Sequence, residues 1–183
     1  MLDVSQQELR PIRRIEYEEL ARAGLFEGER IELLYGAMVH MSPTGPAHDT
    51  IIQRLTQILV KALSPRAVIR IRSSFAASDR SEPQPDVAVV PPRDYFDAHP
   101  SEASLIIEVA ESSRRKDLGP KARLYAECGV PEYWVVDIAA NLVLVHTEIV
   151  SGEYTRIAPC RKGEHVTLTG FPDLAIALDD VLR

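Results

Sequence analysis

Apolar residues fall into two rhythms along this chain. One is helical. Ile51, Leu55, Ile58, Leu59 and Ala62 recur at helical spacing after the turn-rich string SPTGPAHD, and Ser64-Pro65 ends the stripe. A shorter helical pattern over residues 17–23 closes at Gly24, a residue suited to the left-handed position after a helix. A third helix is expected from Asp117, a good N-cap, with Pro120 in its first turn and Gly129 and Pro131 after its end. The other rhythm predicts strands. Residues 30–35 and 37–41 flank Gly36 as a hairpin, and residues 67–75 read as a strand carrying Arg70 and Arg72 on one face. Residues 85–90 form a strand that proline can open but not interrupt. Residues 133–138 and 142–150 make a hairpin about residues 139–141, and residues 154–158 and 165–169 add short strands before the tail FPDLAIALDDVLR.

The run Leu105–Ala110 is apolar on both faces, the mark of a strand covered on both sides, apart from Glu108. An ionised Glu buried there without a partner costs several kcal/mol. It must hold a cation, pair with Arg or Lys, or meet water. Asp86 opens the preceding strand, and adjacent strands lie about 4.8 Å apart, so the two acids could converge as a hard divalent cation requires. Two structural ion pairs explain the same residues equally well. Glu32, between Ile31 and Leu33, reads as an outward-facing acid; His48 could be a ligand or a phosphate contact, although decoration of a helix start is its default reading. Lys121 falls near the expected positive end of its helix, where either an i,i+4 pair with Asp117 or a reach to the carboxylates would offset the dipole. Tyr125, Tyr133 and Trp134 read as packing residues, with Tyr125 one turn beyond Lys121.

Bulk properties narrow the class. A chain of 183 residues, 45% hydrophobic and 26% charged, suffices for one domain over 1–183 with its own core. Cys128 and Cys160 lie in no metal-ligand spacing and suggest no disulfide framework, which favours a reducing cytoplasm. The opening MLDVSQQELRPIRR lacks the apolar segment of a secretory signal, and no run approaches a membrane span. The net charge of −6 argues against a surface that coats nucleic acid indiscriminately, yet Arg70 and Arg72, with Arg114 to Lys116, could still contact phosphate. No P-loop, G-x-G-x-x-G, G-x-S-x-G or HExxH occurs.

The strings ELLYGAMVHMSPTGPAH, QPDVAVV, LIIEVAESS and KDLGPKARLYAECGVPEYWVVD, in this order, resemble the Uma-two family of restriction-endonuclease-like proteins. That resemblance implies an α/β (α+β) fold of the PD-(D/E)XK kind, a mixed central sheet flanked by helices. It also implies metal-dependent phosphodiester hydrolysis. Carried onto this sequence, Asp86 and Glu108 are the acids that would hold Mg²⁺ or Mn²⁺, Glu32 is the additional N-terminal acid, and Lys121 is a lysine supplied from the following helix. The lysine's usual place, two residues after the second acid, is taken by Ala110. Nucleic acid, with DNA foremost, is the expected partner, no membrane is involved, and a homodimer is the expected assembly. Two other readings stay open: a catalytically silent nucleic-acid-binding or regulatory protein on a nuclease fold, and an interaction module in which the acids form structural salt bridges.

Overall fold

The computed structural model describes residues 9–183; the reading of the N-terminal leader falls mostly outside them. Six strands form one sheet in the order β3-β4-β5-β6-β7-β8, comprising Val68–Ile71, Val87–Val90, Leu105–Ala110, Tyr133–Asp137, Leu142–Val150 and Glu153–Arg161. All neighbours are antiparallel except β5 and β6. That one parallel pair demands a crossover, which the helix between them supplies. Two antiparallel ribbons flank the sheet: β1 (Ile31–Leu34) with β2 (Ala37–His40), and β9 (His165–Leu168) with β10 (Phe171–Ala177). The architecture is the mixed sheet with flanking helices that the sequence led us to expect.

β5 is buried throughout because both faces are covered. On one face Leu105, Ile107 and Val109 pack with Ile51, Leu55, Leu59 and Leu63 of helix α2 (Pro46–Leu63), together with residues of β9 and β10. On the other, Ile106 and Ala110 pack with Ala88, Val90, Ala122, Tyr125 and Tyr133. Trp134 and Tyr133 are fully buried. Helix α1 (Arg14–Arg22) packs Tyr17 against Ile31 and Leu33, and the Tyr17 hydroxyl donates to the Ile31 carbonyl at 2.8 Å.

Several elements differ from expectation. The strand expected to reach residue 75 stops at Ile71, because Arg72 takes a left-handed backbone (φ 46°). Arg70 and Arg72 therefore do not act as a pair. Arg70 lies over the Tyr95 ring, 5.5 Å from its centroid, whereas Arg72 turns toward His48 and Asp49. The third helix, α3, spans residues 114–127 and begins one turn earlier than expected, with Ser113 rather than Asp117 at its N-cap. It consists of Arg114–Lys116, a π-helical turn Asp117–Lys121, and Ala122–Glu127. Pro120 explains the wide turn: it has no N–H for the carbonyl of Lys116, and its ring needs room there. Lys121 thus sits mid-helix and buried, not at the positive end.

Candidate active site

Backbone register brings the two strand acids together. Asp86 precedes β4, whose Val87 lies opposite Ile107 of β5. One further step of that register sets Asp86 opposite Glu108. The Val109 amide donates to Asp86 Oδ2 at 2.9 Å and ties the strands together at the level of the acids. Only 8% of the Asp86 side chain and 5% of the Glu108 side chain are exposed. They border a narrow cleft of about 30 Å³ whose wall includes His48, Lys116, Asp117 and Lys121.

Glu108 is held from α3. Lys121 Nζ and the Tyr125 hydroxyl each donate to Glu108 Oε1 at 2.9 Å. The same ammonium is 2.9 Å from Glu32 Oε2, and Lys116 Nζ bonds Glu32 Oε1 at 2.7 Å. Glu32 is fully buried, which corrects its reading as an outward-facing acid. Alternation on β1 does send Glu32 away from Leu33, but that side is covered by the lysines of α3 rather than by water. Lys121 bonds the two glutamates, while Asp117 accepts instead from the Ser113 hydroxyl. Tyr125 combines packing with a hydrogen bond to the site.

The charge balance follows from burial. Desolvation pushes the Glu108 carboxyl up to about 8; Lys121 opposes this, while Asp117, Asp86 and Glu32 add to it. Glu32 also suffers desolvation, but Lys121 and Lys116 outweigh it and hold its carboxyl below the usual range. Lys121 would lose its proton more readily from burial alone; Glu108, Glu32 and Asp117 keep it a cation. Burial likewise raises Asp117.

Sequence reasoning left His48, by default, as decoration of a helix start. It is 5% exposed, with Nε2 3.2 Å from Asp86 Oδ2 and Nδ1 3.1 Å from Arg72 Nη2. Burial works against its protonated form, but Asp86 outweighs that and raises the imidazole. The available signal was its place in the first turn of an amphipathic helix whose apolar stripe fixes the rotation. Arg114, expected to meet phosphate, instead bonds Asp137 at 2.6 Å.

Would a divalent cation suit these residues? Asp86 and Glu108 offer hard oxygen donors, and Glu108 Oε2 accepts no hydrogen bond among the described residues. The cleft, about 30 Å³, has room for a water-sized group. Added positive charge would oppose both the desolvation and the neighbouring acids that raise Glu108. Among the described residues no three or more His, Cys, Asp or Glu side chains converge into a ready cage. Water and phosphate oxygens would complete the shell, as is usual for Mg²⁺. The donors fit on those terms.

The site thus lies on a mixed sheet with helices on both faces, its two acids at neighbouring strand positions. The chain belongs to the Uma2 family, described as "Putative restriction endonuclease", whose pattern matches residues 15–179. Its fold is similar to a crystal structure described as "a putative nuclease belonging to DUF820" from Anabaena variabilis, with a TM-score of 0.77 and 15% sequence identity. That match covers 93% of this chain and 97% of the other. No curated protein matches the sequence.

Proposed function

We propose that this protein hydrolyses phosphodiester bonds of nucleic acid, with DNA as substrate, at the Asp86–Glu108 cleft. The observation that carries the reading is the opposition of these two buried acids across β4 and β5, with Lys121 bonded to one of them. Asp86 and Glu108 would hold Mg²⁺ or Mn²⁺. When bound, such an ion lowers the pKa of a coordinated water and polarises the scissile phosphate.

The chain's own groups prepare the reaction. The Val109 amide and His48 fix Asp86, and Tyr125 and Lys121 fix Glu108 Oε1, so neither carboxylate must reorganise as charge develops. Lys121 offsets negative charge beside the attacked phosphate and orients the attacking water. Glu32 keeps the Lys121 ammonium on station and serves as the extra acid of the site. Lys116, one-fifth exposed, is available to a neighbouring phosphate oxygen. A homodimer, which would present two such clefts to the two strands of a duplex, belongs to the same reading.

One observation favours a second reading. Lys121 is already satisfied by Glu32 and Glu108, as in a purely structural ion triad. The experiment that separates the two compares wild type with Glu108→Gln and Asp86→Asn on supercoiled plasmid, single-stranded DNA and RNA, with Mg²⁺, Mn²⁺ or EDTA. We expect metal-dependent nicking by wild type, reduced at least a hundredfold in either variant. Folded wild type that cuts no substrate with either metal would favour the structural triad. Cutting that survives in EDTA would overturn the metal reading.

A further inference from the structure

A second hollow of about 570 Å³ lies between α1, the chain leading into β4, and residues 95–101, and shares no lining residue with the cleft. Its polar groups are unusually incomplete. Glu82 is 3% exposed, and its Oε2 is buried with no hydrogen-bond partner. The His99 ring nitrogen Nε2 stands 3.9 Å from Oε1, beyond hydrogen-bonding distance, and burial disfavours its protonated form. The Arg14 Nε–H, also at the hollow, is buried and unpartnered, while the Nη1 of the same guanidinium is paired with Glu18. A buried polar atom left this way costs about 1–3 kcal/mol. Above them Phe96 is 91% exposed, a large apolar ring held out at the rim.

Few ligands answer both the carboxylate and the ring. A simple amine would satisfy Glu82 but leave the aromatic ring unused. A bare anion would meet Glu82 and Glu18 together. A nucleobase answers both, with a flat face for the ring and N–H donors for the carboxylate. Among bases, guanine presents an imino and an amino donor side by side, the pattern a carboxylate accepts best.

We propose that this hollow binds an unpaired guanine, stacked on Phe96 and hydrogen-bonded to Glu82. The choice of a nucleotide as occupant rests on the nuclease reading above; the unmet groups of the hollow do not. Placement supports a role beside that chemistry. Glu82 and Asp86 are four residues apart on an extended stretch, so at most roughly 14 Å separates them along the chain. Between them Gln84 lines the hollow, and its backbone N–H donates to Glu32 Oε2 at 3.4 Å. A guanine held here would fix the register of a strand a few nucleotides from the cut. The donors used lie on the base-pairing edge, so the guanine must come from a single strand or be flipped out of a duplex.

The test uses fluorescently labelled hexathymidylates in which one guanine, adenine or cytosine replaces each thymine in turn. Affinity is measured by anisotropy in EDTA, which withholds the metal that the proposed cleavage requires. Wild type should bind a guanine-containing oligomer at one particular position about tenfold more tightly than hexathymidylate, and adenine or cytosine should give no such gain. Glu82→Gln should abolish the guanine preference. Phe96→Ala should weaken binding of all the oligomers several-fold, as loss of a stacking ring does. Phe96 is too exposed for its removal to unfold the chain, and the Glu82 backbone bonds to Leu33 are independent of its side chain. Equal affinities across the bases, no binding at all, or a guanine preference that survives both variants would each overturn the proposal. Cutting by wild type without guanine preference would sink this inference and leave the nuclease reading intact. Guanine binding without cutting would do the reverse.

Discussion

Replacing Lys121 with methionine isolates the ion triad. The ammonium, 3% exposed, lies 2.9 Å from Glu32 Oε2 and 2.9 Å from Glu108 Oε1. At an effective dielectric of 20, each contact is worth about 6 kcal/mol of Coulomb attraction. Much of that offsets desolvation of three buried charges, so the net effect is far smaller than the sum. What decides the outcome is that two buried carboxylates lose the cation they share. Removing one member of such a group costs about 3–5 kcal/mol. Lys116→Met removes a partly exposed partner and leaves Glu32 its second lysine, so it should cost only about 1 kcal/mol. Urea denaturation followed by the fluorescence of Trp134, the single tryptophan and a fully buried one, reads both changes. Adding Glu108→Gln to Lys121→Met should recover part of the loss. If Lys121→Met costs less than 1 kcal/mol, or no more than Lys116→Met, the carboxylates do not depend on this lysine and the account of the site is wrong.

Three further outcomes follow from the same coordinates. Burial pushes the Glu82 carboxyl up to about 7, with Glu18 adding to it, so the folded state binds the proton more tightly than the unfolded. Stability should therefore fall as pH rises from about 4.5 to 7, by roughly 1–2 kcal/mol after solvent screening. Glu82→Gln should raise the melting temperature at pH 8 and leave it nearly unchanged at pH 4; an equal effect at both would contradict the assignment. Gly36 has φ +82° and a Cβ there would stand 2.4 Å from Pro11 Cβ, whereas at Gly24 (φ +79°) it would meet nothing within 4 Å. Gly36→Ala should cost about 2–4 kcal/mol and Gly24→Ala only about 1, and similar losses in a denaturation series would show that the Pro11 contact yields freely. Mn²⁺ should raise the melting temperature of wild type but not of Asp86→Asn, and a shift that persists in the variant would place the ion elsewhere.

Much of the architecture is legible in the linear order of residues. A doubly apolar run predicts a strand with both faces covered, and β5 is such a strand because α2 packs on one side and Tyr125 with its neighbours on the other. The proline before Asp86 and the lone acid in Leu105–Ala110 single out two candidate residues without any structure. The family blocks add Lys121 and Glu32. The sequence pattern also carries the i, i+4 stripe of α2, and through it the rotation that points His48 inward.

What the tertiary structure alone decides is which partners these groups meet. Glu32 reads as exposed because alternation on a ribbon reports only two faces, and only the packing of α3 turns the second face into an interior. Asp117 reads as a cap because a proline three residues later suits a first turn; the chain instead starts its helix earlier and absorbs Pro120 in a wide turn, which carries Lys121 into the core. Arg72 leaves its strand in a left-handed conformation, with its N–H donating to the Asp86 carbonyl at 3.1 Å, a partner distant in sequence. Local propensities differ by tenths of a kcal/mol to about 1 kcal/mol per residue, whereas leaving a buried charge unpaired costs several. Where the two conflict, as at Glu32 and Lys121, the buried charges win, and they couple residues too distant in sequence for any local pattern to reveal.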